Sequence, residues 1–124
     1  EPKRNNRFSL ELPAYFNIPS YVVQDVTCPK KTVGIISSSW KDITVKFIDI
    51  IGPSASTGLY REQNSKNFIL NLSFLDQTGV VIETWEIYVK KIKSIDFGGG
   101  ISYGDDSIKT VTAVFKIKKC VLLF

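Results

Sequence analysis

The chain contains no histidine and only two cysteines in 124 residues. Without imidazole it lacks the one side chain that titrates unperturbed between about pH 5 and 8. Ser-His-Asp and Cys-His nucleophilic constellations are therefore impossible. Cys28 and Cys120 stand far apart and outside any Cys-x-x-Cys motif, so a zinc site has no ligand set. Two thiols do not make a disulfide framework. They read as free, mostly buried thiols in a reducing compartment, with a single long-range disulfide as the alternative. No apolar run approaches the ~18 residues of a membrane span, and no basic-then-apolar leader pattern follows Glu1.

The remaining chemistry is equally sparse. Asp25, Asp42, Asp49, Asp76, Asp96, Asp105 and Asp106 show no calcium-loop spacing. A paired-carboxylate glycosidase site would join residues distant in the chain, and a small sandwich without a deep cleft rarely carries one. Gly98-Gly99-Gly100 lacks the Lys-Ser/Thr ending of a phosphate loop, and no helical pattern follows it; it reads as a turn that needs positive φ. Asn71-Leu72-Ser73 matches a glycosylation sequon but falls in mid-strand. No catalytic, cofactor-binding or metal-ligating residue is nominated, and an enzymatic role is the last of the readings.

What is present is β structure. Phe68, Leu70, Leu72 and Phe74 share one face of a strand. Asp76-Gln77-Thr78-Gly79 follows as a hairpin turn, and the chain resumes at Val80. Val111, Ala113, Phe115 and Ile117 alternate in the same way. Earlier strands are expected at Arg7–Leu12, Tyr21–Cys28, Thr32–Ile36 and Asp42–Ile51, with Ser37-Ser38-Ser39 as a loop. The stretch Val80–Phe97 is too long for one regular element, and a phase slip across Lys90-Lys91 predicts a bulge or sharp bend. One short helix is expected within Ser54–Ser65, capped by Ser54 and weakened by Gly58. The whole of 1–124 reads as one domain. Phe8, Phe47, Phe68, Phe74, Trp85, Phe97 and Phe115 fit core faces; Trp40 and Tyr103 fall in loops.

The net charge is +4. Lys90, Lys91 and Lys93 cluster, as do Lys116, Lys118 and Lys119. They read either as a solvated strand face guarding an edge or as a basic strip facing phosphates or an acidic partner.

The order and spacing of several motifs resemble the tail tube proteins of contractile-tailed bacteriophages, especially those of large myoviruses. The likeness starts at Asn6-Arg7-Phe8 and runs through Trp40-Lys41-Asp42-Ile43-Thr44-Val45-Lys46-Phe47-Ile48-Asp49. It continues through Leu75-Asp76-Gln77-Thr78-Gly79-Val80-Val81-Ile82-Glu83-Thr84-Trp85. It is densest at Ile95-Asp96-Phe97-Gly98, Tyr103, Asp105-Asp106 and Thr110, and closes with Cys120-Val121-Leu122.

The resemblance implies a mainly β protein, a two-sheet sandwich or strongly bent barrel with one short helix. It further implies ring-shaped hexamers stacked into a hollow tube, in which neighbouring subunits' strands join into one inner barrel. Such a tube conducts double-stranded DNA without recognising it, inside a sheath and on a baseplate, in the virion tail assembled in the host cytoplasm. No cofactor and no membrane are implied. Bores of that family tend to be acidic. In this basic chain the lysines therefore face the sheath or neighbouring rings, or acidic residues concentrate inward, or the protein is a relative with another task, such as a baseplate tube initiator or a tail terminator.

Tyr15, Phe16, Ile18, Ile101 and Tyr103 lie in segments that carry apolar residues without periodicity, and are the expected subunit contacts. On that reading Phe16→Asp or Ile101→Asp leaves a folded monomer that cannot polymerise; the alternative is that these residues fold back on their own core. Two other functions fit the same residues. One is a small β-barrel gripping single-stranded nucleic acid through its lysines and aromatics. The other is a carbohydrate-binding sandwich with Trp40 or Tyr103 as the sugar platform.

Overall fold

The computed structural model describes residues 2–4, 6–34, 39–52, 54–100, 102–104 and 106–124. The described residues form eight strands, the longer of them built on alternating apolar residues: β1 (Phe8–Glu11), β2 (Val23–Val26), β3 (Lys31–Thr32), β4 (Ser39–Trp40), β5 (Ile43–Ile48), β6 (Lys66–Leu75), β7 (Val81–Asp96) and β8 (Thr110–Leu122). One helix, α1 (Ala55–Arg61), and two 3-10 turns, Ala14–Phe16 and Ser20–Val22, complete the described elements. Six strands form one antiparallel sheet in the order β1-β6-β7-β8-β5-β2. β3 and β4 form a separate two-stranded ribbon. The six-stranded sheet curls until β1 approaches β2, and so is a strongly bent, nearly closed barrel.

The curl buries one face. Leu10, Leu70, Leu72, Ile87, Val45, Phe47, Val111, Ala113 and Phe115 are all essentially inaccessible to solvent. Phe68 bridges two aromatic neighbours, with ring centroids 5.0 Å from Phe16 and 6.0 Å from Phe115. Burying such rings supplies most of the stabilisation of a small core.

β7 is one strand of 16 residues, not two elements, because bulges absorb its phase changes without interrupting the ladder. On the β8 side, Val89 opposes Ile117 and Lys91 opposes Lys116, which leaves Lys90 as the extra residue. This is the slip expected at Lys90-Lys91. Lys93 is extra between the Ile92–Phe115 and Ser94–Val114 pairs, and Lys118 between Tyr88–Lys119 and Val89–Ile117. Ile117 and Cys120 are therefore both buried although three residues apart.

Several sequence expectations need correction. The strand expected at Thr32–Ile36 is the pair Lys31–Thr32, and Ile35 and Ile36 lie outside the described residues. Ser39 begins β4 instead of extending a loop, while Ser37 and Ser38 lie outside the described residues. Trp40 is also in β4, packed edge-on against Trp85 at 6.1 Å. Phe97 is 38% exposed and rests on Tyr60 instead of joining the core, because it follows the last residue of β7. Both thiols are free, but only Cys120 is buried; Cys28 is exposed in the coil after β2. Burial raises the Cys120 thiol to about 11.

Candidate assembly surface

Staggered strands leave sheet edges open. β5 pairs with β8 only over Thr110–Phe115, so Lys116–Leu122 continues with no β5 partner. β6 pairs with β7 only as far as Lys91, so Ile92–Asp96 continues with no β6 partner. Among the described residues neither stretch has a ladder partner on that side, although β4 lies close to β8; a strand edge without a partner is a template on which another strand adds. Lys93 lies within the β7 stretch, and Lys116, Lys118 and Lys119 within the β8 stretch.

Apolar side chains gather at the far end of the β7–β8 ladder. Val80, Val81 and Ile82 are 58%, 41% and 37% exposed, and Leu122, Leu123 and Phe124 are 51%, 49% and 64% exposed. Backbone hydrogen bonds of Thr84 with Leu123 and Phe124 hold the two groups together.

The turns that frame this surface are fixed by side chains. Asp76 accepts from the Thr78 and Val80 backbone N–H groups at 2.8 and 2.9 Å and from the Thr78 hydroxyl at 2.7 Å. These bonds, led by the Thr78 hydroxyl, lower the Asp76 carboxyl pKa. Gly79 closes the turn at φ +87°, a conformation that favours glycine. Gly98 reaches φ +136° and donates to Asp96 at 3.1 Å; the positive φ expected of the glycine run falls on this residue. The run lines an open cavity of about 450 Å³ with Phe97, Ile108 and Lys109.

Asp49 ties three elements together. Its carboxylate accepts from the Ser54 and Ser56 hydroxyls, both at 2.7 Å, from the Ser56 N–H at 3.3 Å and from Lys109 Nζ at 3.0 Å. Ser54 in turn caps α1 by accepting from the Thr57 N–H at 3.4 Å. Partial burial pushes the Asp49 carboxyl up, but its four donors outweigh that and hold it well below the usual carboxylate range. Sequence reading assigned Asp49 no role. The only available signal was its spacing of five and seven residues from Ser54 and Ser56.

The predicted contact residues separate. Tyr15 is 50% exposed and Tyr103 fully exposed. Phe16 and Ile18 are 0% and 7% exposed. They pack into the subunit's own core, the alternative that sequence reading left open for them, beneath α1. Arg61 holds the first turn down by donating to the Tyr15 and Phe16 carbonyls at 3.2 and 3.3 Å. Ile101 lies outside the described residues. Among the described residues no group of three or more His, Cys, Asp or Glu side chains is arranged to hold a metal ion.

No family model and no curated protein sequence matches the chain. Solved structures do match, over nearly its whole length. A chain from the cryo-EM structure of the sheath/tube terminator of PVC, an extracellular contractile injection system, in the extended state superposes with a TM-score of 0.70 at 9% identity. That match covers 100% of this chain and 98% of the other. A chain from the tube-terminating cap of the anti-feeding prophage gives 0.69 at 10% identity, over 98% and 91%. Hcp1 from Flavobacterium johnsoniae gives 0.67 at 10% identity, over 94% of both chains. The chain thus has the tail-tube-like fold found in the components of contractile injection systems.

Proposed function

We propose that this protein is a structural, non-enzymatic subunit of a tube in a contractile tail or injection machine. One observation carries the reading: the fold matches such components over 94–100% of this chain and 94–98% of theirs. The open edges support it. A β7 edge at Ile92–Asp96 and a β8 edge at Lys116–Leu122 remove each other's unpaired groups when copies close into a ring. Six copies make the ring, and rings stack into a conduit for DNA, enclosed by sheath and seated on a baseplate in the virion tail. The exposed Tyr15 and Tyr103, together with Ile101, belong to the contacts between copies. A stable ring interface buries more than about 1,000 Å², and the exposed apolar group around Val80–Ile82 and Leu122–Phe124 contributes to it.

A second reading, a tube terminator or cap, is favoured by the two neighbours that come from a terminator and a cap. Negative-stain microscopy and sedimentation of the purified chain test both. Stacked tubes support the tube body, and single rings support the terminator or cap. A monomer at every concentration overturns both.

A further inference from the structure

We propose that the outer face of the β7–β8 ladder is a binding surface for the phosphate backbone of nucleic acid, read without regard to base sequence. This stands independently of the tube reading, since it needs only the folded subunit.

The observation is an arrangement of lysines that folding alone does not favour. Lys66, Lys91 and Lys116 are register partners on three adjacent strands, Lys66 opposite Lys91 and Lys91 opposite Lys116. Like charges placed directly opposite across strands destabilise a sheet. The bulges add to the crowding. In a regular strand, neighbouring residues point to opposite faces. Here the extra residues Lys90, Lys93 and Lys118 place Lys90 beside Lys91 and Lys118 beside Lys119 on the solvent side. Val89, Ile117 and Cys120 stay in the core, with Ile92 and Ile95 packed against it. All three register shifts of this ladder thus fall at a lysine, and bulges are features that re-aim side chains.

Little on the protein neutralises this charge. Lys93 pairs with Asp42 at 2.8 Å. Lys119 Nζ lies 4.7 Å from the centre of the Tyr88 ring, which leaves its charge intact. No described ion pair involves Lys66, Lys90, Lys91, Lys116 or Lys118.

The side-chain chemistry selects the ligand class. Lysine is depleted from the centres of protein–protein interfaces, which rely on aromatic anchors and arginine. This patch contains no arginine, and its one aromatic, Tyr88, stacks on Lys119. Flexible ammonium groups at strand spacing suit a row of phosphates. Binding then comes from release of condensed counterions and carries no sequence information.

The test is fluorescence anisotropy of the full-length protein with a short DNA duplex of arbitrary sequence, as a function of salt. If about five phosphates are neutralised, affinity falls roughly 500-fold between 50 and 200 mM salt. The triple variant Lys91→Gln/Lys116→Gln/Lys118→Gln lowers the magnitude of the salt slope by about three. A variant of equal net charge, Arg4→Gln/Lys30→Gln/Lys41→Gln, keeps most of it. Circular dichroism confirms that both variants are folded. Equal losses in the two variants, no binding at 50 mM salt, or tighter binding of a poly-glutamate peptide than of DNA overturns the proposal; the last outcome assigns the face to an acidic protein partner.

Discussion

Gly58 meets the backbone of Phe16 so closely that a β-carbon on Gly58 would lie 2.4 Å from the Phe16 carbonyl oxygen and 2.8 Å from Ile18 Cγ1. Neither contact can be relieved by swinging a free side-chain end, since one atom is backbone and the other belongs to a buried residue. Gly58 therefore sets how near α1 comes to the 3-10 turn beneath it. As a helix residue, alanine is favoured over glycine by about 1 kcal/mol. Gly58→Ala is nevertheless expected to destabilise the protein, by about 1–3 kcal/mol, because forced overpacking outweighs propensity. Urea denaturation of the two proteins checks the sign, and a stabilised variant would refute the close approach.

Phe16→Ala is expected to cost about 3–5 kcal/mol, the usual loss for a buried aromatic, and Phe16→Asp to prevent folding. Tyr15→Ala, one residue away but 50% exposed, is expected to stay within about 1 kcal/mol of the parent. Thermal melts of the variants separate the two roles. A well-folded Phe16→Asp monomer would return Phe16 to the surface.

This contrast shows where sequence reading succeeded and where it stopped. β5, β6 and the first half of β8 were legible because their apolar residues repeat every second position, and a period of two assigns each side chain to a face. The helix was legible from Ser54, whose cap is present. The slip at Lys90-Lys91 was visible because Ile92 falls out of phase. The shift at Lys118 was hidden, since two adjacent lysines read as ordinary solvent-facing charge. Residues 13–20 carry no period at all, so Tyr15 and Phe16 looked alike, and only the 3-10 turn that follows Pro13 decides which one enters the core. The staggered strand pairings behind the open edges, and the donors around Asp49, depend on contacts distant in the chain. No local pattern encodes them.

The Asp49 junction predicts acid sensitivity of definite sign. Its carboxyl titrates lower in the folded protein than in the unfolded chain, where the ordinary value is about 3.9. The ionised form is the one its donors stabilise. The contribution is complete above the unfolded value and is lost as pH falls below it towards the folded value. Asp49→Asn is expected to lower stability at pH 7 by about 1.5–3 kcal/mol, the range for hydrogen bonds to a charged group. The gap between parent and variant should narrow as the pH drops below about 4. Denaturation at a series of pH values measures it, and a gap that widens in acid would contradict the assignment.

The lysine row makes the opposite kind of prediction, a variant more stable than its parent. Lys91 lies between Lys66 and Lys116 and so feels two like charges at once. Replacing it with glutamine keeps a similar stem on the strand and removes both repulsions. Each opposed pair is worth about 0.2–1 kcal/mol, and exposed charges interact weakly in water, so Lys91→Gln should gain about 0.5 kcal/mol in dilute buffer. The gain should fade at 1 M salt, where the screening length shrinks to about 3 Å. Lys30→Gln, outside the row, should show neither the gain nor the salt dependence. Paired denaturation curves at low and high salt decide the matter. An unchanged or destabilised Lys91→Gln protein at low salt would show that the three ammonium groups splay far enough apart to ignore one another.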